Sequence, residues 1–146
     1  HTNDAVSSIT RLIEMGVPPY LVASTVKGVI AQRLVRKLCN QCKKQDKKNI
    51  EVKKQKNNPK IKYKKTVYFK ATGCEKCNNT GYHHRIGIHE ILVLNDKIRN
   101  LIVNGKSREE IFGCAEKNGL KPMRKDGREK IRQGLTSVKE LARVIL

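Results

Sequence analysis

Four of the five cysteines in this sequence lie in two Cys-x-x-Cys pairs, and 31 residues separate Cys42 from Cys74. Two residues between the members of a pair let both sulfurs of a tight turn face one cation, and four thiolates complete the tetrahedral shell that Zn²⁺ prefers. A filled shell leaves no position for water, so such a metal is structural. The spacing therefore predicts a structural zinc site formed by Cys39, Cys42, Cys74 and Cys77. Gly73 and Gly81 suit tight backbone turns around the second pair.

Other uses of the cysteines fit this pattern less well. Redox dithiols usually occur as one pair near a helix start, and the odd number of cysteines argues against a secreted disulfide framework. An iron–sulfur cluster also takes four cysteines, although the spacing of two pairs favours zinc. Cys114 lies among Phe112, Gly113 and Ala115 and is expected to be a small core residue.

The elements around these pairs follow from the spacing of apolar residues and from capping signals. Helices are expected at residues 4–15 (capped by Asn3 or Asp4), 19–36 (opened by Pro19), 96–104, Ser107 to Gly119, 122–133, and Ser137 to the end. Capping boxes are predicted at two of these helix starts, between Ser107 and Glu110 and between Ser137 and Glu140. Short strands are expected at residues 67–69 and 87–94, and Tyr82–Arg85, which also suggests a metal or phosphate site, is predicted to be an exposed turn. The predicted fold class is α+β, mainly α with minor β structure near the cysteines.

Charge is the strongest compositional feature, with a formal net charge of +19. Residues 43–70 hold twelve lysines against only Asp46 and Glu51, which predicts a solvated, low-order loop between the two pairs. A basic zinc module that binds nucleic acid is the alternative interpretation. Against this interpretation, the sequence has no regular series of aromatic residues for base stacking, and no recognition helix follows the cysteine pairs at the spacing of a zinc finger. We therefore expect no sequence-specific nucleic acid partner, while the Lys43–Lys70 loop could touch anionic lipid weakly.

Several segments resemble, in order, the type II secretion and type IV pilus assembly ATPases. The matching segments are His1–Ala5 (HTNDA), Arg11–Val17 (RLIEMGV), Ala31–Cys39 (AQRLVRKLC) with Cys42, Gly73–Tyr82 (GCEKCNNTGY), Arg85–Glu90 (RIGIHE), Pro122–Gly127 (PMRKDG) and Gly134–Thr136 (GLT). The resemblance covers nearly the whole chain and is specific as a set. The lysine-rich segment between the cysteine pairs matches no family pattern.

A second departure from the family concerns the nucleotide site. The sequence contains no Gly-x-x-x-x-Gly-Lys-[Ser/Thr] loop, the motif whose backbone N–H groups and lysine hold nucleotide phosphates. In the family this loop and the acidic Walker B residues lie upstream of the segment that matches His1. The resemblance thus implies a part of a longer protein that binds ATP and Mg²⁺, and we expect no ATPase activity from this chain alone.

The resemblance also implies a fold and a division of the chain. Residues 1–37 would be the last helices of a RecA-like ATPase core, residues 38–82 a tetracysteine zinc insert with its lysine-rich loop, and residues 83–146 a strand and a C-terminal helical subdomain. His1 would be the later residue of the family's histidine box, near the γ-phosphate. The parent would be a cytoplasmic homohexamer at the inner face of the cell membrane, working against an inner-membrane platform protein.

Overall fold

The computed structural model describes residues 2–54 and 63–145, and within them the chain is α+β. In chain order the elements are α1 Ala5–Glu14, α2 Pro19–Thr25, β1 Gly28–Leu38, β2 Lys44–Lys54, β3 Tyr63–Lys70, β4 Tyr82–Val93, α3 Asp96–Val103, α4 Arg108–Lys117, α5 Met123–Arg132 and α6 Val138–Ile145. Strand β1 pairs with β4, and β2 pairs with β3 in the antiparallel sense. Each sheet thus has two strands.

The chain forms two compact units, and each unit is assembled from two separate segments. Unit 1 contains His1–Arg33 and Ile88–Asp126, and unit 2 contains Leu34–Gly87 and Gly127–Leu146. The expected division at residues 37 and 82 concerns the domains of a longer protein and stays a prediction. Within residues 2–54 and 63–145, no helix combines the length and the apolar character that crossing a lipid bilayer requires.

The core of unit 1 is formed by the apolar faces of α1 to α4 against strand β4. In α1 the buried side chains are Ala5, Val6 and Ile9, at the spacing that places residues on one face of a helix. Asp4 caps this helix, as expected, and its carboxylate accepts a hydrogen bond from the Ser7 N–H at 2.7 Å. The capping box of α4, predicted from Ser107 and Glu110, is also confirmed.

A buried carboxylate on β4 connects the starts of two helices in unit 1. The Glu90 side chain is 3% exposed; its Oε1 accepts from the Ala5 N–H at 2.9 Å and its Oε2 from the Met123 N–H at 3.1 Å. Ala5 and Met123 are the first residues of α1 and α5. A negative charge at helix N-termini is favourable because the first N–H groups have no partner within the helix. Glu90 therefore fixes both helix starts.

The helix predicted at residues 19–36 is wrong beyond its first two turns. Helix α2 ends at Thr25, and Gly28 begins strand β1. Exposed and partly buried residues alternate along the first half of β1, the period of a half-covered strand, and β-branched residues such as Val29 and Ile30 favour extended backbone. A Cβ on Gly28 would lie 2.9 Å from the Leu92 carbonyl oxygen, so glycine permits this close approach to β4.

The loop expected between the cysteine pairs contains the second sheet. Strands β2 and β3 pair in a register that places Lys44 opposite Lys70 and Lys54 opposite Tyr63, with an irregularity between Asp46 and Ile50. The strand predicted at residues 67–69 is confirmed as part of β3, while residues 55–62 lie outside the described part. Backbone pairing needs no alternation of apolar residues in the sequence. The lysine-rich sequence therefore did not indicate most of these two strands.

Strand β4 is also longer than the strand expected at residues 87–94. It begins at Tyr82, so the turn predicted at Tyr82–Arg85 is wrong and this segment is part of the strand. His84 within it has a positive φ of 65°. β structure is therefore more extensive than the minor share expected, with 11 residues in β1 and 12 in β4. Residues 20–36 have the spacing of a helix, but hydrogen bonding to β4 stabilises the extended backbone of β1 instead.

Gly127 in α5 has no room for a side chain within unit 2. A Cβ at this position would overlap the Cδ1 atom of Leu141, whose side chain is buried. Gly127→Ala is expected to lower the free energy of unfolding by about 1–2 kcal/mol, because moving Leu141 from its packed position costs more than the roughly 1 kcal/mol that alanine gains over glycine inside a helix. Gly113→Ala is the control: no atom lies within 4 Å of its added Cβ in α4, so alanine should stabilise by about 0.5–1 kcal/mol. Urea unfolding measures both, and equal effects would contradict this packing.

Candidate metal centre

The four cysteines of the two pairs lie together in unit 2. All four sulfur atoms are within 4.8 Å of one another. The Cys39 and Cys74 sulfurs are 3.8 Å apart, those of Cys42 and Cys77 are also 3.8 Å apart, and those of Cys74 and Cys77 are 3.6 Å apart. Cys39 directly follows β1, and Cys77 ends a short 3-10 turn. The two knuckles therefore meet although 31 residues separate them in sequence.

These separations fit a metal ion bound by four thiolates. Sulfurs at about 2.3 Å from a tetrahedral Zn²⁺ are about 3.8 Å from one another, since a tetrahedron's edge is about 1.63 times its centre-to-corner distance. A disulfide would require about 2.05 Å between two sulfurs, and all four cysteines are free thiols. The donor set is thus arranged for one cation.

The backbone of the second knuckle points its N–H groups at a sulfur. The amides of Cys74 and Gly81 each donate to the Cys77 Sγ at 3.2 Å. Gly73 and Gly81, predicted to allow tight turns here, have φ values of +125° and +76°. A Cβ on Gly73 would lie 2.7 Å from the Asn79 carbonyl oxygen. Glycine is required at both positions because neither the space nor the backbone angle suits a side chain.

The first knuckle is tied to the second by hydrogen bonds. The Cys39 N–H donates to the Gly81 carbonyl at 3.0 Å. The Thr72 hydroxyl donates to the Cys42 carbonyl. These bonds fix the position of each sulfur pair relative to the other before any ion is considered.

The thiols of Cys74 and Cys77 differ in pKa within the cluster. Burial raises the pKa of Cys77, but the N–H groups of Cys74 and Gly81 outweigh it and lower that pKa to about 6. Burial and the neighbouring sulfurs instead raise the pKa of Cys74 to about 11. Four thiolates this close repel one another unless a cation neutralises them. The cluster thus holds its full negative charge only around a metal ion.

The remaining residues singled out by the sequence lie elsewhere. Cys114 is partly buried and packs against the core of unit 1, as expected. His83 and His84 are exposed at the start of β4 with ring centroids 4.0 Å apart. His1 lies outside the described residues. Among the described residues, the only cluster of three or more side chains suited to a metal is that of the four cysteines.

Sequence reasoning missed a second charged cluster in unit 2. Glu140, predicted as the partner of Ser137 in a capping box, is fully buried and forms two ion pairs. Its Oε2 lies 2.6 Å from Arg36 Nη2, and its Oε1 lies 2.7 Å from Arg143 Nη2. The Ser137 half of the box exists, because its hydroxyl accepts from the Glu140 N–H at 3.1 Å. The sequence feature that could have indicated this cluster is the acidic residue at the third position of α6, because a carboxylate there can form either a capping box or an ion pair.

Fold and site together define an α+β protein with a four-cysteine centre suited to a metal ion. A sequence model described as "Type II/IV secretion system protein" matches residues 1–143. The chain belongs to this family.

Similar proteins agree with that assignment. The chain is 44% identical over 146 residues to the type IV pilus assembly ATPase PilB of Thermus thermophilus, covering 99% of the chain and 16% of that protein. It is 41% identical over 144 residues to the type II secretion system protein HxcR of Pseudomonas aeruginosa, covering 99% and 27%. The type II secretion system ATPase E of Vibrio cholerae is also 41% identical, with 99% and 28% covered. The chain thus spans under a third of each relative.

Proposed function

We propose that this chain is the C-terminal portion of a hexameric ATPase that powers type IV pilus assembly or type II protein secretion. The family match over residues 1–143 and relatives named as pilus and secretion ATPases support this. Within such a motor, the chain supplies a structural metal site and a helical subdomain. The parent would work as a homohexamer on the cytoplasmic side of the inner membrane, against a platform protein.

The metal in this proposal is zinc, held by Cys39, Cys42, Cys74 and Cys77. The observation that carries it is the separation of 3.6–3.8 Å between neighbouring sulfurs, which matches a tetrahedral thiolate shell. A zinc ion with four protein ligands crosslinks two chain segments and takes no part in a reaction. The cysteines thus join the end of β1 to the turn before β4, with β2 and β3 between them.

Nucleotide chemistry belongs to the parent in this proposal. ATP and Mg²⁺ would be bound by a phosphate-binding loop that this sequence does not contain. His1 would be the histidine-box residue that faces the γ-phosphate in the intact protein, a role assigned by resemblance alone. By itself the chain is expected to be inactive as an ATPase, with a RecA-like core completed only in the parent.

The lysine-rich strands β2 and β3 give the motor a weak contact with anionic lipid. The register places Lys44 opposite Lys70, and like charges directly opposite one another disfavour pairing. An anionic surface would relieve that repulsion, and each lysine near such a surface contributes about 1 kcal/mol. This contact would place β2 and β3 toward the membrane that carries the platform protein.

The zinc proposal is tested by measuring the metal content of the purified chain. We expect about one equivalent of zinc and no iron by plasma mass spectrometry, because four sulfurs form one closed shell. The double variant Cys39→Ser with Cys74→Ser removes one ligand from each knuckle and should lose the metal. Folded wild-type protein free of zinc, or a double variant that retains a full equivalent, would overturn the proposal.

A further inference from the structure

Three arginines from different elements of unit 2 line one surface depression. Arg36 comes from β1, Arg85 from β4 and Arg143 from α6, and Leu34 completes the wall. Guanidinium groups in separate elements repel one another, so their convergence needs a compensating charge. The nearest such charge is the buried carboxylate of Glu140, which faces two of the three arginines.

Glu140 holds Arg36 and Arg143 in fixed orientations. Its Oε2 accepts from Arg36 Nε at 2.9 Å and from Arg143 Nε at 3.0 Å, and its Oε1 accepts from Arg143 Nη2 at 2.7 Å and from the Arg36 N–H at 3.0 Å. The Arg36 guanidinium also lies 4.3 Å from the centre of the Tyr82 ring. Two of the three guanidiniums are therefore ordered by the protein before any ligand arrives.

The depression keeps an excess of positive charge. The depression holds three guanidinium groups, and the Glu140 carboxylate that pairs with Arg36 and Arg143 is the one negative charge set against them, which leaves a net charge of two. Arg85 is exposed and makes no ion pair within the described part of the chain. Each guanidinium has five N–H donors, and the side-chain bonds to Glu140 use two from Arg36 and two from Arg143. Their Nη1 groups remain available to an incoming acceptor.

We propose that Arg36, Arg85 and Arg143 form a binding site for a phosphoryl group. A phosphate dianion matches the two uncompensated charges, and its oxygens accept the paired N–H donors that guanidinium groups present. The site shares no residue with the cysteine cluster. The phosphoryl group could belong to a nucleotide or to a lipid headgroup, which share this chemistry.

Titration calorimetry of the metal-loaded chain with inorganic pyrophosphate tests the site. At an ionic strength of about 0.15 M, where charges are screened beyond about 8 Å, we expect one saturable site. Arg85→Gln should weaken binding about tenfold or more, because a hydrogen bond to a charged group is lost. Arg85→Lys keeps the charge without the paired donors, so its affinity for pyrophosphate should lie between those of the wild type and Arg85→Gln. Both variants should unfold at the wild-type temperature, since Arg85 is exposed.

Two controls separate this site from the general basicity of the chain. Arg11→Gln removes an exposed arginine of unit 1 that pairs with Glu14, and it should leave pyrophosphate binding unchanged. Lys53→Gln with Lys64→Gln, at paired positions of β2 and β3, should leave it unchanged as well. Displacement of pyrophosphate by ATP would identify a nucleotide as the source, and displacement by vesicles containing phosphatidic acid would identify a lipid. Binding that does not saturate, or that Arg11→Gln weakens as much as Arg85→Gln, overturns the proposal.

Discussion

Replacing Cys77 with serine is expected to release the metal and lower the free energy of unfolding by at least about 4 kcal/mol. Loss of a structural metal is among the few single changes with so large an effect, because binding and folding of such sites share one free energy. Cys77 is 4% exposed, and its sulfur accepts from two backbone amides at 3.2 Å. A serine hydroxyl has a shorter bond to its Cβ and binds zinc poorly.

Cys114→Ser provides the matched comparison, because it is the same chemical change at a partly buried cysteine outside the cluster. We expect it to retain the metal and to cost about 1 kcal/mol or less. Thermal unfolding with and without EDTA, combined with hydrogen exchange, measures both effects. Exchange should rise in Leu34–Gly87 of the Cys77→Ser protein and stay low in the helices of unit 1. A Cys77→Ser protein with the stability of Cys114→Ser would contradict a structural metal.

Glu140→Ala is expected to destabilise the protein by about 2–4 kcal/mol, the second largest effect. The buried carboxylate accepts from both guanidiniums and from the Arg36 backbone N–H, and hydrogen bonds to a charged group are worth about 1.5–3 kcal/mol each, although Arg36 and Arg143 can regain water because they are 43% and 58% exposed. Glu129→Ala is the control, since Glu129 is 56% exposed and pairs with Arg132 at 3.4 Å across one helical turn. Exposed pairs of this kind contribute less than about 1 kcal/mol. Urea unfolding at neutral pH compares the two, and equal costs would contradict the buried cluster.

The Glu140 cluster also predicts how stability depends on pH. Burial raises the pKa of Glu140, but hydrogen bonds from Arg143 and Arg36 outweigh it and lower the pKa from 4.5 to about 2. The resulting stabilisation, about 3 kcal/mol, is fully present above pH 4.5 and is lost as the pH falls toward 2. Glu140→Gln should lose this component, so its acid unfolding curve should be flatter than that of the wild type between these values. Parallel curves would contradict the assignment.

Several features of this protein could be predicted from the sequence because they depend on short-range spacing. The two Cys-x-x-Cys pairs predicted the cluster, since two intervening residues fix how a knuckle presents its sulfurs. Asp4 and Ser107 predicted helix starts, because capping uses side chains and amides within three residues. Gly73 and Gly81 predicted tight turns around the second pair. The α+β class followed from these elements, and the family from the order of the matching segments.

Other features were decided only by contacts between distant residues. Residues 28–36 have helical periodicity, yet β1 forms because β4, more than forty residues later in sequence, supplies its partner. The lysine-rich segment pairs with itself for the same reason: backbone hydrogen bonds depend on register and leave little trace in composition. Glu90 and Glu140 receive their roles from amides and guanidiniums far away in the chain. The sequence thus determined which residues can bind a metal or cap a helix, and the tertiary structure determined which charges are buried, since burial depends on packing that no local pattern encodes.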